Sequence, residues 1–441
     1  MTALDRKQFL LGTGSLVWAG AQLSRLRVES PSALRRDLEA IVADEIARCG
    51  IPAVSLSIFG EGMSSIDIAV GRRCQGQSGE VTTNDAFQIG STTKIFTALA
   101  LARLHDRKRL DWNETLRSAF SDLPRLHPDY ARLSLKHLLS HRSGMMRDFD
   151  PDFALPLPTG ESRERRWSFA ALALAAPPAT AAGKYSYSST GFICLGALME
   201  KKLGIPWFEL VRREVLDPLR IVGSVSGPPL DTGGKLIVAG HAKEAKGRLI
   251  PLLPPFRGRY ASDLIDPAGG IWMPIREFGK LARAISANRD AMGTYLGAET
   301  YRDYLSFPFG GSYGLGLRRE FRGFAGGNAL GHYGTYMGFE NHFFFSASKR
   351  CECRGNNRKP DPPRDRGAVR RASRLAAAEK AGYPGATERL GPRCVRGRGR
   401  NIDGACGRNG ANRHDKDRQK PMEQSGVGRD LPACGRSDVP G

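Results

Sequence analysis

The last stretch of this 441-residue chain, Lys349 to Gly441, contains no phenylalanine and no tryptophan, one tyrosine (Tyr383) and one isoleucine (Ile402). A segment so short of large apolar side chains has little with which to build a core. It carries 23 of the 66 Lys and Arg but only 11 of the 45 Asp and Glu, so +12 of the net charge of +21 sits there. A charge that large ordinarily points to nucleic acid or an anionic membrane. Here more than half of it belongs to the tail, and residues 31–346 are best read alone. Nowhere is there an apolar run near twenty residues, so no transmembrane helix is expected. No internal repeat is visible. Cysteines are few and lack metal-ligand spacing: Cys49, Cys74 and Cys194 are an odd number in the body, and Cys351-x-Cys353 has no correctly spaced second pair. The three body cysteines read as buried free thiols. The whole chain, 41% hydrophobic and 25% charged, is globular in average composition, with room for two domains or one large domain with an insertion.

Asp5-Arg6-Lys7-Gln8-Phe9-Leu10 sets basic residues before a short, weakly apolar stretch, Phe9 to Ala21, and Ala19-Gly20-Ala21 supplies small residues for cleavage. That is the pattern of an export signal. The Arg-Lys pair followed by Phe-Leu resembles a twin-arginine signal with Lys in the second basic place. Residues 1–30 are therefore expected to be signal and leader, and the protein to be periplasmic or otherwise exported. The alternative is an amphipathic N-terminal helix.

Within the body, Leu34, Leu38, Ile41, Val42 and Ile46 recur at helical spacing from Ser32 to Cys49, and Gly50 ends the run. Ala53–Phe59 and Ser65–Val70 read as strands joined by the turn Gly60-Glu61-Gly62. Thr92–Leu104 reads as a helix, and a mostly helical stretch continues to about Ala287. Gly331–Met337 and His342–Ser346 read as strands again. Strands flanking a helical middle fit a sheet domain with a helical insertion.

Ser91-Thr92-Thr93-Lys94 lies where a helix begins. Ser-x-x-Lys on a helix puts both side chains on one face, so the lysine amine can reach the serine oxygen. A lysine in a partly desolvated cleft can lose its proton near neutrality and act as a base, and the helix N-terminus favours an alkoxide. Alone the pattern is common. A second match, Ser346-Ala347-Ser348-Lys349, follows a Phe-rich strand and opens no helix.

Ser91 is distinguished by its company. Downstream lie Gly183-Lys184-Tyr185-Ser186-Tyr187-Ser188-Ser189-Thr190-Gly191-Phe192 and Gly331-His332-Tyr333-Gly334-Thr335-Tyr336-Met337-Gly338-Phe339. In this order these elements resemble the serine β-lactamase and penicillin-binding protein family, in the branch of class C β-lactamases, DD-peptidases and related esterases. That branch carries Ser-x-x-Lys, then Tyr-x-Asn, then Lys-Thr-Gly or His-x-Gly. Gly50-Ile51-Pro52-Ala53-Val54, Phe87-Gln88-Ile89-Gly90, Leu138-Leu139-Ser140-His141-Arg142-Ser143-Gly144-Met145, Gly269-Gly270-Ile271-Trp272 and Tyr313-Gly314-Leu315-Gly316 match it too. The resemblance spans about residues 31–346.

The resemblance implies an α+β fold: an antiparallel sheet flanked by helices, built from about 31–90 and 305–346, with a mostly helical subdomain at about 91–304. It implies that Ser91 is the acylated nucleophile and that Lys94 accepts or relays its proton. Tyr187 would be the partner base, its phenol pKa lowered by Lys94. The backbone N–H groups of Ser91 and Thr335 would form the oxyanion hole. Ser189, His332 and Gly334 would contact substrate, His332 helping to place a leaving group or an anionic substrate. His141 reads as a structural loop residue. No metal or cofactor is implied, and the substrate would be a small molecule or a peptidoglycan-type peptide. Oligomeric state is left open.

Two departures bear on substrate. Ser189 stands where the family usually has Asn, offering one donor in place of an amide. His332 replaces Lys and Tyr333 stands where Thr often lies, a poorer carboxylate clamp. The expectation leans away from an efficient β-lactamase, toward an esterase or a DD-peptidase-like hydrolase. An inactive or binding-only member is the alternative.

The family's sheet order is 2-1-5-4-3, so the last strand is central. After Phe339–Ser346 an apolar β-branched run should follow, yet Lys349-Arg350-Cys351-Glu352-Cys353-Arg354 follows instead. That cannot be a central strand without burying unpaired charges. Written as TGC GAG TGT CGC GGT AAC AAT CGC AAA before CCG, residues 351–359 read one base later as Ala-Ser-Val-Ala-Val-Thr-Ile-Ala-Asn. The codons are a choice, but Cys-Glu forces Ala or Val, and both Asn-Asn and Asn-Arg force Thr or Ile. Residues 347–441 are therefore expected to be a basic, low-order tail translated out of frame from about Ser348 to Arg350. The chain as written would then fold poorly and be weakly active. The alternatives are a true basic tail or a fused module. Arg396-Gly397-Arg398-Gly399-Arg400 could then bind RNA or anionic surfaces, but nucleic acid is not an expected partner of an exported enzyme.

Overall fold

A computed structural model describes residues 31–60, 63–148, 160–244, 248–254, 263–290, 292–320 and 329–346. The expected signal, the Gly60-Glu61-Gly62 turn beyond its first residue, and the basic tail lie outside the described residues.

Helix α1 (Pro31–Cys49) packs Leu38 and Val42 onto Ile66 and Ile68 of an antiparallel pair, β1 (Ala53–Gly60) and β2 (Met63–Gly71). The helix and both strands were readable from their apolar periods. Cys49, at the end of α1, is exposed, whereas Cys74 and Cys194 are buried, so the expectation of three buried thiols holds for two.

Strand β3 (Ala86–Gln88) leads through a 3-10 turn, Gly90–Thr92, into helix α2 (Thr93–Asp106). Every residue of α2 from Thr93 to Leu104 is buried, so this helix is apolar all round because it is covered all round. It packs with α3 (Ser162–Ala175) and α4 (Ser189–Leu203) in the main core, around Phe96, Leu99, Phe192, Leu195 and Trp207. Helix α4 is capped at both ends: Ser188 Oγ accepts the Gly191 N–H, and Gly204 closes it at φ +72°.

The middle of the chain is less purely helical than expected. It holds β4 (Val225–Ser226), the hairpin β5 (Gly240–Lys243) with β6 (Leu249–Leu252), and β7 (Ile271–Pro274), which pairs with β3 and β4. Amphipathic helix α5 (Phe278–Ala287) follows, burying Phe278, Leu281, Ala282 and Ile285. Strand β8 (Arg318–Glu320), β9 (Ala329–Tyr336) and β10 (Phe339–Ser346) complete an antiparallel ladder in the order β10-β9-β8.

The expected pairs 1–2 and 3–4 are present as β1–β2 and β9–β10. No described strand joins β1 to β10. Instead α5 packs across both, and Phe343 of β10 meets Phe278 at 5.3 Å and Phe59 at 6.5 Å. No described helix is long and apolar enough to cross a membrane.

Candidate active site

The 3-10 turn brings Ser91 and Lys94 together at the entrance of α2. Lys94 Nζ lies 3.0 Å from Ser91 Oγ, 2.8 Å from the Ala268 carbonyl and 3.5 Å from Ser189 Oγ. The lysine is fully buried. Burial pushes its pKa down to about 7, with the Asp148 carboxylate pulling the other way. The Ala268 carbonyl is held by a short helical turn, Asp266–Gly269, docked on α2: Thr97 Oγ1 donates to the Pro267 carbonyl at 2.6 Å, and the Ile271 N–H donates to Thr93 Oγ1 at 3.2 Å.

Tyr187, two residues before α4, shares a hydrogen bond with the Ser91 side chain, and its ring centroid is 5.0 Å from Lys94 Nζ. The structure brings Ser91, Lys94 and Tyr187, named together from the sequence, into one cluster. One expectation is corrected. Burial raises the Tyr187 pKa well above its ordinary value, outweighing the hydrogen bond to Ser91. Tyr187 is thus held as a phenol, a proton donor, and Lys94 is the group with a proton affinity near neutrality.

Ser91 and Thr335, the residues expected to supply oxyanion-hole amides, meet along a tight seam. Strand β9 lies against the 3-10 turn so closely that a Cβ on Gly334 would be 1.9 Å from the Ile89 carbonyl oxygen and 3.0 Å from Ser91 N. A Cβ on Gly90, at φ +52°, would be 2.5 Å from Thr335 N. Only glycine fits either place, and the backbone nitrogens of Ser91 and Thr335 both border this seam. Thr92 Oγ1 donating to Asn341 Oδ1 at 2.7 Å ties the turn to β10 as well.

His332 differs from the clamp it was expected to help form. Its ring is 4% exposed. Burial, and the nearby Lys94, push its pKa to about 3. Nδ1 donates to the Tyr333 carbonyl at 2.5 Å, and Nε2 accepts from the Tyr313 hydroxyl at 2.8 Å. The imidazole is neutral and both nitrogens are satisfied within the protein, so it offers an anion no charge. Tyr333 packs its ring against His342 and Phe344 with Arg318 above it.

Three contributors were not assigned from sequence. His141, buried at φ +57°, accepts the Ser188 N–H on Nδ1 at 3.1 Å and the Ser186 N–H on its carbonyl at 2.8 Å. Its Leu-Leu-x-His-x-Ser-Gly setting marked it, but only as a loop residue. Tyr313, within a motif that was noticed but given no role, holds His332 and sets its ring, tilted by 55°, 4.4 Å from that of His141. Asp148 accepts a hydrogen bond from Ser189 Oγ at 2.9 Å, and no sequence pattern announced it. Among the described residues no group of His, Cys, Asp and Glu is arranged to hold a metal ion.

This sheet-and-helix architecture with Ser-x-x-Lys at its junction defines a class, and comparison with known proteins agrees. The family model described as Beta-lactamase matches residues 38–347, and the chain belongs to that family. It is 29% identical over 183 residues to Penicillin-binding protein 4 of Amycolatopsis lactamdurans, covering 40% of this chain and 45% of that protein. It is 26% identical over 207 residues to the N-acetylmuramyl-L-alanine amidase of Bacillus subtilis (strain 168), covering 44% and 46%. The chain thus spans about half the length of the curated relatives it matches. Among solved structures, the octameric penicillin-binding protein homologue from Pyrococcus abyssi aligns with a TM-score of 0.53 at 24% identity over 68% of each chain. The D-amino acid amidase from Ochrobactrum anthropi SV3 aligns with a TM-score of 0.53 at 21% identity over 69% of this chain and 85% of the other. These two share the fold.

Proposed function

We propose that this protein is a serine hydrolase that works through an acyl-Ser91 intermediate on esters or amides. The observation that carries the reading is the buried Lys94 amine 3.0 Å from Ser91 Oγ with a pKa near 7. A neutral amine there can take the serine proton at physiological pH.

In this reading Ser91 Oγ attacks the substrate carbonyl as its proton passes to Lys94. The negative charge that develops on the carbonyl oxygen meets the N–H groups of Ser91 and Thr335. The phenol of Tyr187, held protonated by burial, gives its proton to the leaving alkoxide or amine, and the Lys94 ammonium returns a proton to the phenolate. Water then attacks the acyl-enzyme, Lys94 takes the water's proton, and Ser91 regains a proton as it leaves. Charge and protons balance over the cycle without any metal.

A substrate whose binding depends on a carboxylate, as a β-lactam's does, finds no cation in the neutral His332. An ester or amide with a neutral flank on that side suits the site better. Named relatives that are amidases support a carbonyl substrate with an amine leaving group, and the site chemistry admits an ester equally.

The experiment is pre-steady-state hydrolysis of p-nitrophenyl acetate by the full-length protein and Ser91→Ala. A burst equal to the enzyme concentration, lost in the variant, with an acidic limb near pH 7, supports the reading. No burst, or a burst surviving in Ser91→Ala, contradicts it.

That no described strand joins β1 to β10 favours a second reading, a member that binds without turning over. It predicts slow or absent labelling of Ser91 although Lys94 titrates near neutrality.

A further inference from the structure

The site contains a hydrogen-bond chain longer than its triad. Ser91 Oγ, Lys94 Nζ, Ser189 Oγ and Asp148 Oδ1 follow one another at 3.0, 3.5 and 2.9 Å. Arg147 Nε lies 3.1 Å from Asp148 Oδ2 at the solvent end. The segment carrying Asp148 is fastened to the start of α4: Ser188 Oγ donates to the Met146 carbonyl at 2.7 Å, and the Ser189 N–H donates to the Arg147 carbonyl at 2.6 Å.

We propose that Asp148 is a positioning residue whose carboxylate claims the Ser189 hydroxyl proton and so fixes the direction of the chain that ends on Ser91. The proposal rests on the reading of Ser91 as nucleophile and of Lys94 as its base.

The donors and acceptors around Lys94 and Ser189 set the order of donation. An ionised carboxylate accepts only, so the proton between Ser189 and Asp148 belongs to Ser189. The Ser189 oxygen then has only lone pairs left to offer Lys94. The Ala268 carbonyl also only accepts, and it lies 2.8 Å from the same nitrogen. A neutral amine has two protons and one lone pair. Both protons are taken by Ala268 and Ser189, and the lone pair is left facing Ser91 Oγ. The order of donation is fixed: Ser91 to Lys94, Lys94 to Ser189, Ser189 to Asp148.

Without the carboxylate, the Ser189 hydroxyl is free to turn and donate to the Lys94 lone pair, in competition with Ser91. This is how a serine can stand in the place of the larger amide expected from the family pattern: a charge supplied from a different loop orients it. Of the charged and titratable groups facing Lys94 among the described residues, Asp148 alone is anionic. His141 and His332 are neutral through burial, Tyr187 is held protonated, and Arg147 lies beyond the carboxylate.

The test compares full-length wild type with Asp148→Asn and Asp148→Ala by two readouts. One is the acylation rate with p-nitrophenyl acetate across pH. The other is the titration of Lys94 followed by 13C NMR at Cε, which requires no turnover. Removing this facing anion destabilises the ammonium, so both midpoints should move together to lower pH in either variant. The plateau acylation rate should fall about tenfold as the lone pair is shared. A purely structural role would lower the fraction of labelled enzyme and leave both midpoints where they are; that result overturns the proposal. Should wild type fail to acylate at all, the reading of Ser91 falls, and the Lys94 titration alone decides: a shift in the variants supports the role of Asp148, and an unmoved midpoint overturns it.

Discussion

His141 holds Tyr187 from both sides. Its carbonyl accepts the N–H of Ser186, its Nδ1 accepts the N–H of Ser188, and its ring centroid lies 4.2 Å from that of Tyr187. Burial pushes the imidazole pKa well below the usual range, which agrees with Nδ1 acting as an acceptor. The residue sits at φ +57°, where Asn is tolerated better than Ala. His141→Ala should therefore cost roughly 100-fold in kcat by loosening the phenol, with KM for a small ester changed far less. His141→Asn keeps an acceptor and the backbone conformation and should retain more activity than the alanine variant. Steady-state kinetics on the two proteins checks both expectations, and equal losses would remove the positioning role.

Asp266 connects the catalytic turn to pH. Burial raises its carboxyl to about 7, against the hydrogen bond it accepts from Ser226 Oγ at 2.7 Å. A carboxyl whose folded pKa is raised keeps a proton that the unfolded chain has already lost between about pH 4 and 7. Its contribution to stability is therefore complete below pH 4 and falls away as pH rises toward 7, by on the order of a few kcal/mol. Asp266→Asn should flatten this slope. Urea unfolding at pH 4.5 and 7.5 reads the difference, and a variant as pH-sensitive as wild type would contradict the assignment.

The seam between Gly334 and Ile89 leaves no room for a methyl group. A Cβ 1.9 Å from the Ile89 carbonyl oxygen must push β9 away from the 3-10 turn, and with it Thr335 N. Gly334→Ala should lower acylation at least ~100-fold, the order lost when one oxyanion donor is removed, with Lys94 still titrating near neutrality. Retention of wild-type acylation would place the oxyanion donors elsewhere.

The gap between β1 and β10 bears on the reading frame. Resequencing the gene across the codons for Phe345 to Asn357 should reveal a one-base insertion or deletion. The corrected chain, continuing β10 into Ala-Ser-Val-Ala-Val-Thr-Ile-Ala-Asn, should melt higher and acylate faster than the chain as written. A confirmed frame, with the present chain already folding cooperatively, would end the frameshift account.

How much of this was legible beforehand follows from the physics of each part. Helix α1 and strands β1 and β2 announce themselves because one face is apolar at a fixed period. Strands β4 and β7 run two and four residues, too short for alternation to register, and were absorbed into a helical stretch, while the three-residue β3 was left unassigned. Ser91, Lys94 and Tyr187 could be singled out because their motifs are local. Asp148 was not, because its partner Ser189 lies 41 residues away and an acidic side chain in a loop carries no pattern. The direction of the Tyr187 pKa was misjudged for the same reason: a neighbouring lysine can be read from sequence, but the burial that outweighs it cannot.

The central claim is that Ser91 is acylated by a mechanism in which buried Lys94 is the base. It is tested most directly by intact-protein mass spectrometry of the full-length chain after brief exposure to p-nitrophenyl acetate at pH 8 and quenching in acid. One acetyl group per protein chain is expected, absent in Ser91→Ala and strongly reduced in Lys94→Met. Acetylation that stays in Ser91→Ala, or that is as fast in Lys94→Met as in wild type, would contradict it.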